Sequence, residues 1–329
     1  MVDFKKRWTL GVLSGVAMAL AMPNLASAQT YPSKPITLIV GFAPGGLTDL
    51  LARLVAPIMA EKLGKQVLVE NRPGAAGNVG TAAVANAKPD GHTLLFTSAG
   101  PIIYNPHTYE SMPADPLTQL KPVTMVAEGP LFVTVSSKTG IKSVKELIDY
   151  GKSNPGKLSY ATSGAGGNMH VVLEMFRGHM GQPVTPVHYQ GTSALLPDLL
   201  TNQVQFFADS ASSIVEYAKN GQLTVIMATG KERHPAFPDA PTAAELGYDD
   251  LAAIKNWFGV LAPKDTPDEI VNKLYEVIKI AVDNKEVQAR LTPAGMNPVA
   301  STPKAFADEI AVSSPLIGKV TKAANIKVE

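Results

Sequence analysis

The 329-residue sequence contains no cysteine. That absence removes a disulfide framework, thiolate metal sites and cysteine nucleophiles together. It also removes the lipid-bearing cysteine that would tether an exported chain at its cleavage site. Charge of one sign is missing as well, with 29 Lys and Arg against 28 Asp and Glu and a formal net charge of +1. So neutral a chain has no electrostatic case for nucleic acid or an anionic membrane. After residue 28 no apolar run is long enough to cross a bilayer. Catalytic patterns are scarce. No G-x-S-x-G occurs, so Ser98, Ser163 and Ser193 lack a nucleophile elbow. The six histidines (92, 107, 170, 179, 188, 234) form neither H-E-x-x-H nor H-x-H, and no metal or other cofactor is expected.

What is present begins with "MVDFKKRWTLGVLSGVAMALAMPNLASAQT". Lys5, Lys6 and Arg7 precede an apolar stretch over 8–22, which Pro23 breaks. Ala26-Ser27-Ala28 then sets small residues at the −3 and −1 positions. This is the pattern of a cleaved secretory signal, with cleavage expected after Ala28. The 301 residues from Gln29 carry 26 basic and 27 acidic side chains, a net charge of −1. Without an anchoring cysteine, the mature chain is expected to diffuse in a Gram-negative periplasm as a monomer. Its length exceeds what one core usually holds, so two domains are expected.

Along that chain, short apolar runs alternate with segments of helical period. "ITLIV" (36–40), "QVLVE" (66–70) and "TLLF" (93–96) read as strands, separated by helices over about 47–63 and 77–87. In the first helix Leu50, Leu51, Leu54, Val55, Ile58 and Met59 recur at three and four. This βαβαβ order implies a parallel sheet covered by helices. After "LKPVTMVAEGP" the pattern restarts with "LFVTVS" (131–136), "LSYAT" (158–162), "VTPVHY" (184–189), "VQFFAD" (204–209) and "LTVIMAT" (223–229). Helices are expected from about 169 and 192. Ser143–Glu146, Thr242–Glu245 and Thr266–Glu269 are spaced as capping boxes. "WFGVLAP" (257–263) reads as a further strand, and a last helix near 303–313 is expected to pack on the first unit. The expected fold class is α/β, two-lobed, with lobe 1 at 29–129 and 236–329 and lobe 2 at 130–235. Two crossing strands near 127–131 and 234–240 form the hinge, and the ligand cleft lies between the lobes.

Four glycine-containing turns follow strands: "APGGLTD" (43–49), "TSAGP" (97–101), "TSGAGGNMH" (162–170) and "YQGTS" (189–193). Two fall in each lobe. Glycine lets a ligand approach the backbone, and at a helix start the first N–H groups lack partners while the dipole is positive. Such an end binds a carboxylate without arginine. Paired ends across a cleft suit an acid charged at both ends. The alternative for any single turn is a tight corner and nothing more. These turns nominate Ala43, Pro44, Gly45, Gly46, Leu47, Ser98 and His170 for ligand contact. Asp49, in the first helical turn, has a plainer alternative in capping nearby N–H groups. Asp209, closing "VQFFAD", would repel an anion unless it orients a water, a hydroxyl or an ammonium.

Strung together, "YPSKPITLIVGFAPGGLTDLLAR" (31–53), "LGKQVLVENRPGAAGNVG" (63–80), "AKPDGHTLL" (87–95), "YATSGAGGNMH" (160–170), "HYQGTSALLPDLL" (188–200), "FFADS" (206–210) and "WFGVLAPKDTP" (257–267) resemble the Bug family. These are the periplasmic receptors of tripartite tricarboxylate transporters, and the resemblance covers essentially the whole mature chain. It implies a two-lobed receptor that holds a small di- or tricarboxylate, aliphatic or aromatic such as terephthalate, and passes it to a membrane permease. It also implies ligand-binding roles for Gly45, Gly46 and Asp49 in the first lobe, partly through ordered waters. In the second lobe the same carry-over gives Ser163, Gly166, Asn168 and Asp209, with Thr192 as a looser match. Three departures stand out: His92 where tyrosine is usual, Gly41 and Ala43 beside the phenylalanine, and Asn168 where serine is common. A non-enzymatic binding protein is thus expected. The alternatives are a ligand sensor for a signalling receptor, or a hydrolase or isomerase of a similar acid.

Overall fold

The computed structural model describes residues 31–189 and 191–328. The expected signal segment and its cleavage site lie outside the described residues. Strand β1 (Ile36–Val40) is almost wholly buried, as a strand covered on both faces must be. It leads into α1 (Leu47–Leu63), then β2 (Val67–Asn71), α2 (Asn78–Ala85) and β3 (Thr93–Ser98). β1 pairs in parallel with both β2 and β3, the arrangement the βαβαβ order implies. On α1 the buried stripe is Leu51, Ala52, Val55 and Met59, while Leu50 stands 51% exposed. The buried stripe is thus one position narrower than the alternation at three and four implies, with Leu50 outside it.

Short helices α3 (Asn105–Thr108) and α4 (Pro116–Gln119) precede β4 (Leu120–Gly129). Thus "LKPVTMVAEGP", read as a break, holds a ten-residue strand. Pro122 is tolerated there because it falls at a register shift in the ladder with β10 (Asn256–Pro263). β10 runs antiparallel to β3 and β4, and β11 (Asn297–Pro298) adds to β4, giving the order β11-β4-β10-β3-β1-β2. The first sheet is therefore mixed, not purely parallel.

The second sheet takes β5 (Phe132–Ser136), β6 (Ser159–Thr162), β7 (Thr185–His188), β8 (Phe206–Asp209) and β9 (Leu223–Ala228), in the order β7-β6-β8-β5-β9. Between these strands run α5 (Val144–Ser153), α6 (Asn168–Met180), α7 (Thr192–Thr201) and α8 (Ala211–Lys219). Beyond them come α9 (Asp249–Ala252), α10 (Asp268–Val282), α11 (Lys285–Leu291) and α12 (Pro303–Ala323). The last helix extends ten residues past the expected end, carrying Pro315 inside it. Its Phe306 packs edge-on against Trp257 of β10, ring centroids 4.8 Å apart. Gly259 makes room, since a Cβ there would stand 2.7 Å from the Phe306 ring.

Of the three capping boxes, the second closes in both directions and the first in one, since Glu146 accepts from the Lys142 amide and not from that of Ser143. Ser143 accepts from the Glu146 amide at 3.2 Å, and Thr242 and Glu245 exchange amide bonds at 3.1 and 3.0 Å. The second caps only a turn. The third does not form, because the Thr266 hydroxyl donates to the Pro263 carbonyl at 2.7 Å and Pro267 takes the N-cap.

The chain passes from the first sheet to the second between Gly129 and Phe132. After β9 it stays with the second sheet, for the Ala228 amide donates to Pro241 O and the Ala243 amide to Ala228 O. Tyr248 then stacks on His179 of α6 at 4.3 Å. The chain rejoins the first sheet at Asn256, which sits opposite Gly129 in the ladder. The segment 234–240, where the return was expected, lies in the loop this pairing closes, with His234 and Phe237 packed edge-on against Phe132 of β5.

Candidate functional site

The opening turn is held by one carboxylate. Asp49 accepts from the Gly45 amide at 2.9 Å, from Arg53 Nε at 3.0 Å and from Asn71 Nδ2 at 2.9 Å. Asn71 Nδ2 also donates to Phe42 O at 3.0 Å, and Arg53 Nη2 donates to Asn71 Oδ1 at 2.9 Å. Asp49 is buried. Desolvation alone would raise its pKa, but the bonds from Arg53, Gly45 and Asn71 outweigh it and hold the carboxyl below its ordinary value. Its plainer role is therefore the one the geometry shows: Asp49 fixes the turn. Arg53 follows Asp49 by four residues and was legible in the sequence as a helical pair. Asn71 was not, because only the β1–β2 pairing brings it there.

Fixing the turn leaves donors elsewhere. The Gly45 amide is engaged by Asp49, and the positive φ of the turn, +85°, falls on Gly45. Gly46 is the N-cap at φ −73° and ψ 164°, with no side-chain cap. The Leu50 amide bonds Gly46 O, and among the described residues the amides of Leu47, Thr48 and Asp49 have no acceptor. Ala43, Pro44, Gly45 and Gly46 are all exposed and Leu47 half-buried. This is an open helix terminus with positive dipole and free N–H groups. Beside it lies the turn 74–78, since a Cβ on Gly41 would stand 2.8 Å from Gly77 O. α2 also starts from a glycine, Gly77, without a side-chain cap. Near that start Asn105 Nδ2 donates to Asn78 Oδ1 at 2.7 Å and to Ala76 O at 3.1 Å. Ser98 ends β3 half-buried, its hydroxyl unpartnered among the described residues.

On the second sheet the same device recurs. α6 and α7 start from Gly167 and Gly191, neither capped by a side chain. Elsewhere α5, α11 and α12 are capped by Ser143, Asn284 and Thr302. Glycine-led, uncapped starts thus gather at the ends of β1, β6 and β7, where part of the sequence reading placed ligand. Asn168 Oδ1 accepts the Met169 amide at 2.9 Å, and its Nδ2 reaches Asn256 Oδ1 of the other sheet at 3.4 Å. Ser163 is half-buried and its hydroxyl has no partner among the described residues. Asp209 accepts from Thr192 Oγ1 at 2.8 Å and from the Ser210 amide at 2.7 Å. Burial nevertheless dominates and raises its pKa. Thr192 thus acts as a partner of Asp209.

Two nominated residues sit differently from expectation. Gly166, at φ +74°, packs against the C-terminal segment and α3, where a Cβ would stand 2.4 Å from Val328 and 3.0 Å from the Thr108 hydroxyl. Its amide donates to His170 Nδ1 at 3.0 Å, so packing accounts for this glycine. His170 lines a cavity between α6 and the C-terminal segment 324–327. Its ring meets His188 edge-on at 4.6 Å, and burial, with the His188 charge second, pushes its pKa down to about 4.

Comparison with known proteins bears on the family and the fold. The profile described as tripartite tricarboxylate transporter family receptor matches residues 51–325. The chain belongs to this family. Protein BugT of Bordetella pertussis (strain Tohama I) is 34% identical over 307 residues, covering 91% of this chain and 94% of BugT. Among solved structures, R. palustris Rpa4515 with adipate is 30% identical at a TM-score of 0.82, covering 91% of this chain and all of that one. MatC from Rhodopseudomonas palustris with bound malate is 29% identical at a TM-score of 0.78, covering 88% and 99%. The Bug resemblance and the two-lobed periplasmic-binding-protein fold are thereby borne out. The chain is a solute-binding receptor of this family, and its structural neighbours are binding proteins. Among the described residues no group of three His, Asp or Glu side chains is placed to hold a metal ion.

Proposed function

We propose that this receptor captures a small dicarboxylate or related polycarboxylic acid between its lobes in the periplasm. It then delivers the acid to the membrane permease of a tripartite tricarboxylate transporter, without catalysing a reaction. The observation that carries the reading is the set of uncapped, glycine-led helix starts, α1 on the first sheet and α6 and α7 on the second. Each offers backbone N–H groups and a positive dipole, which suits a carboxylate at either end of a short ligand. The adipate and malate held by two structural relatives are acids of this kind. Calorimetry against adipate, malate, citrate and terephthalate tests it. Saturable one-to-one binding to at least one acid, unchanged by a chelator, is the expected result. Binding lost on chelation, or turnover of the acid, would overturn the metal-free, non-enzymatic reading.

The lobes are proposed to divide at Gly129–Phe132 and at 253–256, the two places where the chain changes sheet. Lys255 reinforces the second of these, reaching Glu128 at 3.5 Å and Glu309 at 3.3 Å. Ligand favours the closed arrangement, since only closure brings both sets of helix starts to one molecule. Small-angle scattering should show compaction on saturation with a bound acid. An unchanged radius of gyration at saturation would sink the hinge.

A further inference from the structure

The cavity that takes in His170 lies apart from the glycine-led turns. One wall is α6 with edge strand β7, and the other is the C-terminal segment 324–327. Its volume is about 270 Å³. That is just below the range usual for small-molecule pockets, roughly 300–1,000 Å³.

Its polar groups have a definite hydrogen-bonding sense. His170 Nδ1 accepts the Gly166 amide, so in the neutral imidazole the proton sits on Nε2 and that nitrogen is a donor. Glu174 also lines the cavity, but its carboxylate is fully engaged. Tyr160 OH donates to it, and so do Arg177 Nε and Nη2. Glu174 is accordingly held below the usual carboxylate range, burial opposing and Arg177 and Tyr160 prevailing. Among the described residues Arg177 Nη1 and Lys327 Nζ have no acceptor. Three of the charged or ring groups left over are therefore donors: a neutral N–H, a guanidinium edge and an ammonium. Asn325 adds an exposed side-chain amide, which can donate or accept, and Val184, Pro186, Ala324 and Ile326 are apolar.

We propose that this cavity is a second ligand site, which takes a small monocarboxylate with a compact apolar body. The carboxylate meets Arg177, Lys327 and His170, and the body lies against Val184, Pro186 and Ile326. An occupant ties the C-terminal segment to α6, joining the first-sheet chain to the second sheet. The site itself stands apart from the cleft; only the silenced background of the test rests on the cleft reading, and the cavity variants separate the two.

Benzoate is the probe, with benzyl alcohol as its uncharged counterpart, and the mature chain carries Gly46→Val so that cleft binding is silenced. Calorimetry should show saturable benzoate binding in this background and none for benzyl alcohol. Ala324→Phe, which fills the cavity, should abolish it, and Lys327→Met should weaken it up to about fivefold, the upper end of what an exposed charge contributes. Lys327 is exposed, so that variant keeps the test standing should Ala324→Phe fail to fold. The proposal is overturned by absence of saturable benzoate binding. Benzoate affinity untouched by Lys327→Met, or benzyl alcohol binding equally well, overturns it too.

Discussion

A Gly46→Val variant should keep its melting temperature and lose roughly a hundredfold to ten-thousandfold in ligand affinity. Gly46 is the N-cap of α1 at φ −73° and ψ 164°, an extended conformation that valine adopts readily. A Cβ there meets only Ala43 O, at 3.7 Å, so nothing in the protein need move. An N-cap side chain stands where a capping oxygen would accept from the second and third helical amides. Valine puts methyl groups in that place. It supplies no acceptor and blocks the carboxylate that would have been one. Losing two charge-assisted bonds, each worth roughly 1.5–3 kcal/mol, gives the stated range. Gly46→Ser should act in the same direction by another route, its hydroxyl capping the helix internally and adding a few tenths of a kcal/mol of stability. Melting and calorimetry on the same samples decide it. A variant that binds the acid with unchanged affinity would place the site away from α1.

The sequence made this turn legible because local rules govern it. The strand, the glycines and the helix bounds of α1, Leu47–Leu63, follow from periodicity within one window. β4 was not legible in the same way. Lys121, Pro122 and Glu128 break its apolar run, and only the facing β10 shows it to be a central strand. The return crossing was hidden for a similar reason. Residues 229–255 carry no strong period, and their place is fixed by Ala228 pairing with residues 241 and 243. Gly166 shows the limit for single residues. Its glycine looked like a ligand approach, yet Val328, more than 160 positions away, explains it. Corners and caps are local physics, whereas close approach between distant segments is not.

Asp49→Ala should cost about 2–4 kcal/mol of stability at neutral pH and weaken ligand binding as well. The loss comes chiefly from the bonds of the Gly45 amide and Asn71 Nδ2, at 2.9 Å each. Arg53 is half-exposed, so its ion pair adds little more. Without the carboxylate, Gly45 has no partner to hold its φ of +85°, and the amides of Leu47, Thr48 and Asp49 are no longer set in one arrangement. The pH dependence follows from the direction of the shift. Asp49 is held below its ordinary value of 3.8 in the folded chain, so its contribution is present above that pH and lost as pH falls through the lower folded value. Urea unfolding at pH 7 should therefore separate wild type from Asp49→Ala, and the gap should narrow in strong acid. Asp49→Asn should fall between the two, keeping one acceptor oxygen but not the charge. If Asp49→Ala unfolds like wild type at pH 7 while ligand binding disappears, the carboxylate contacts ligand or its waters directly and is not the clamp of the turn.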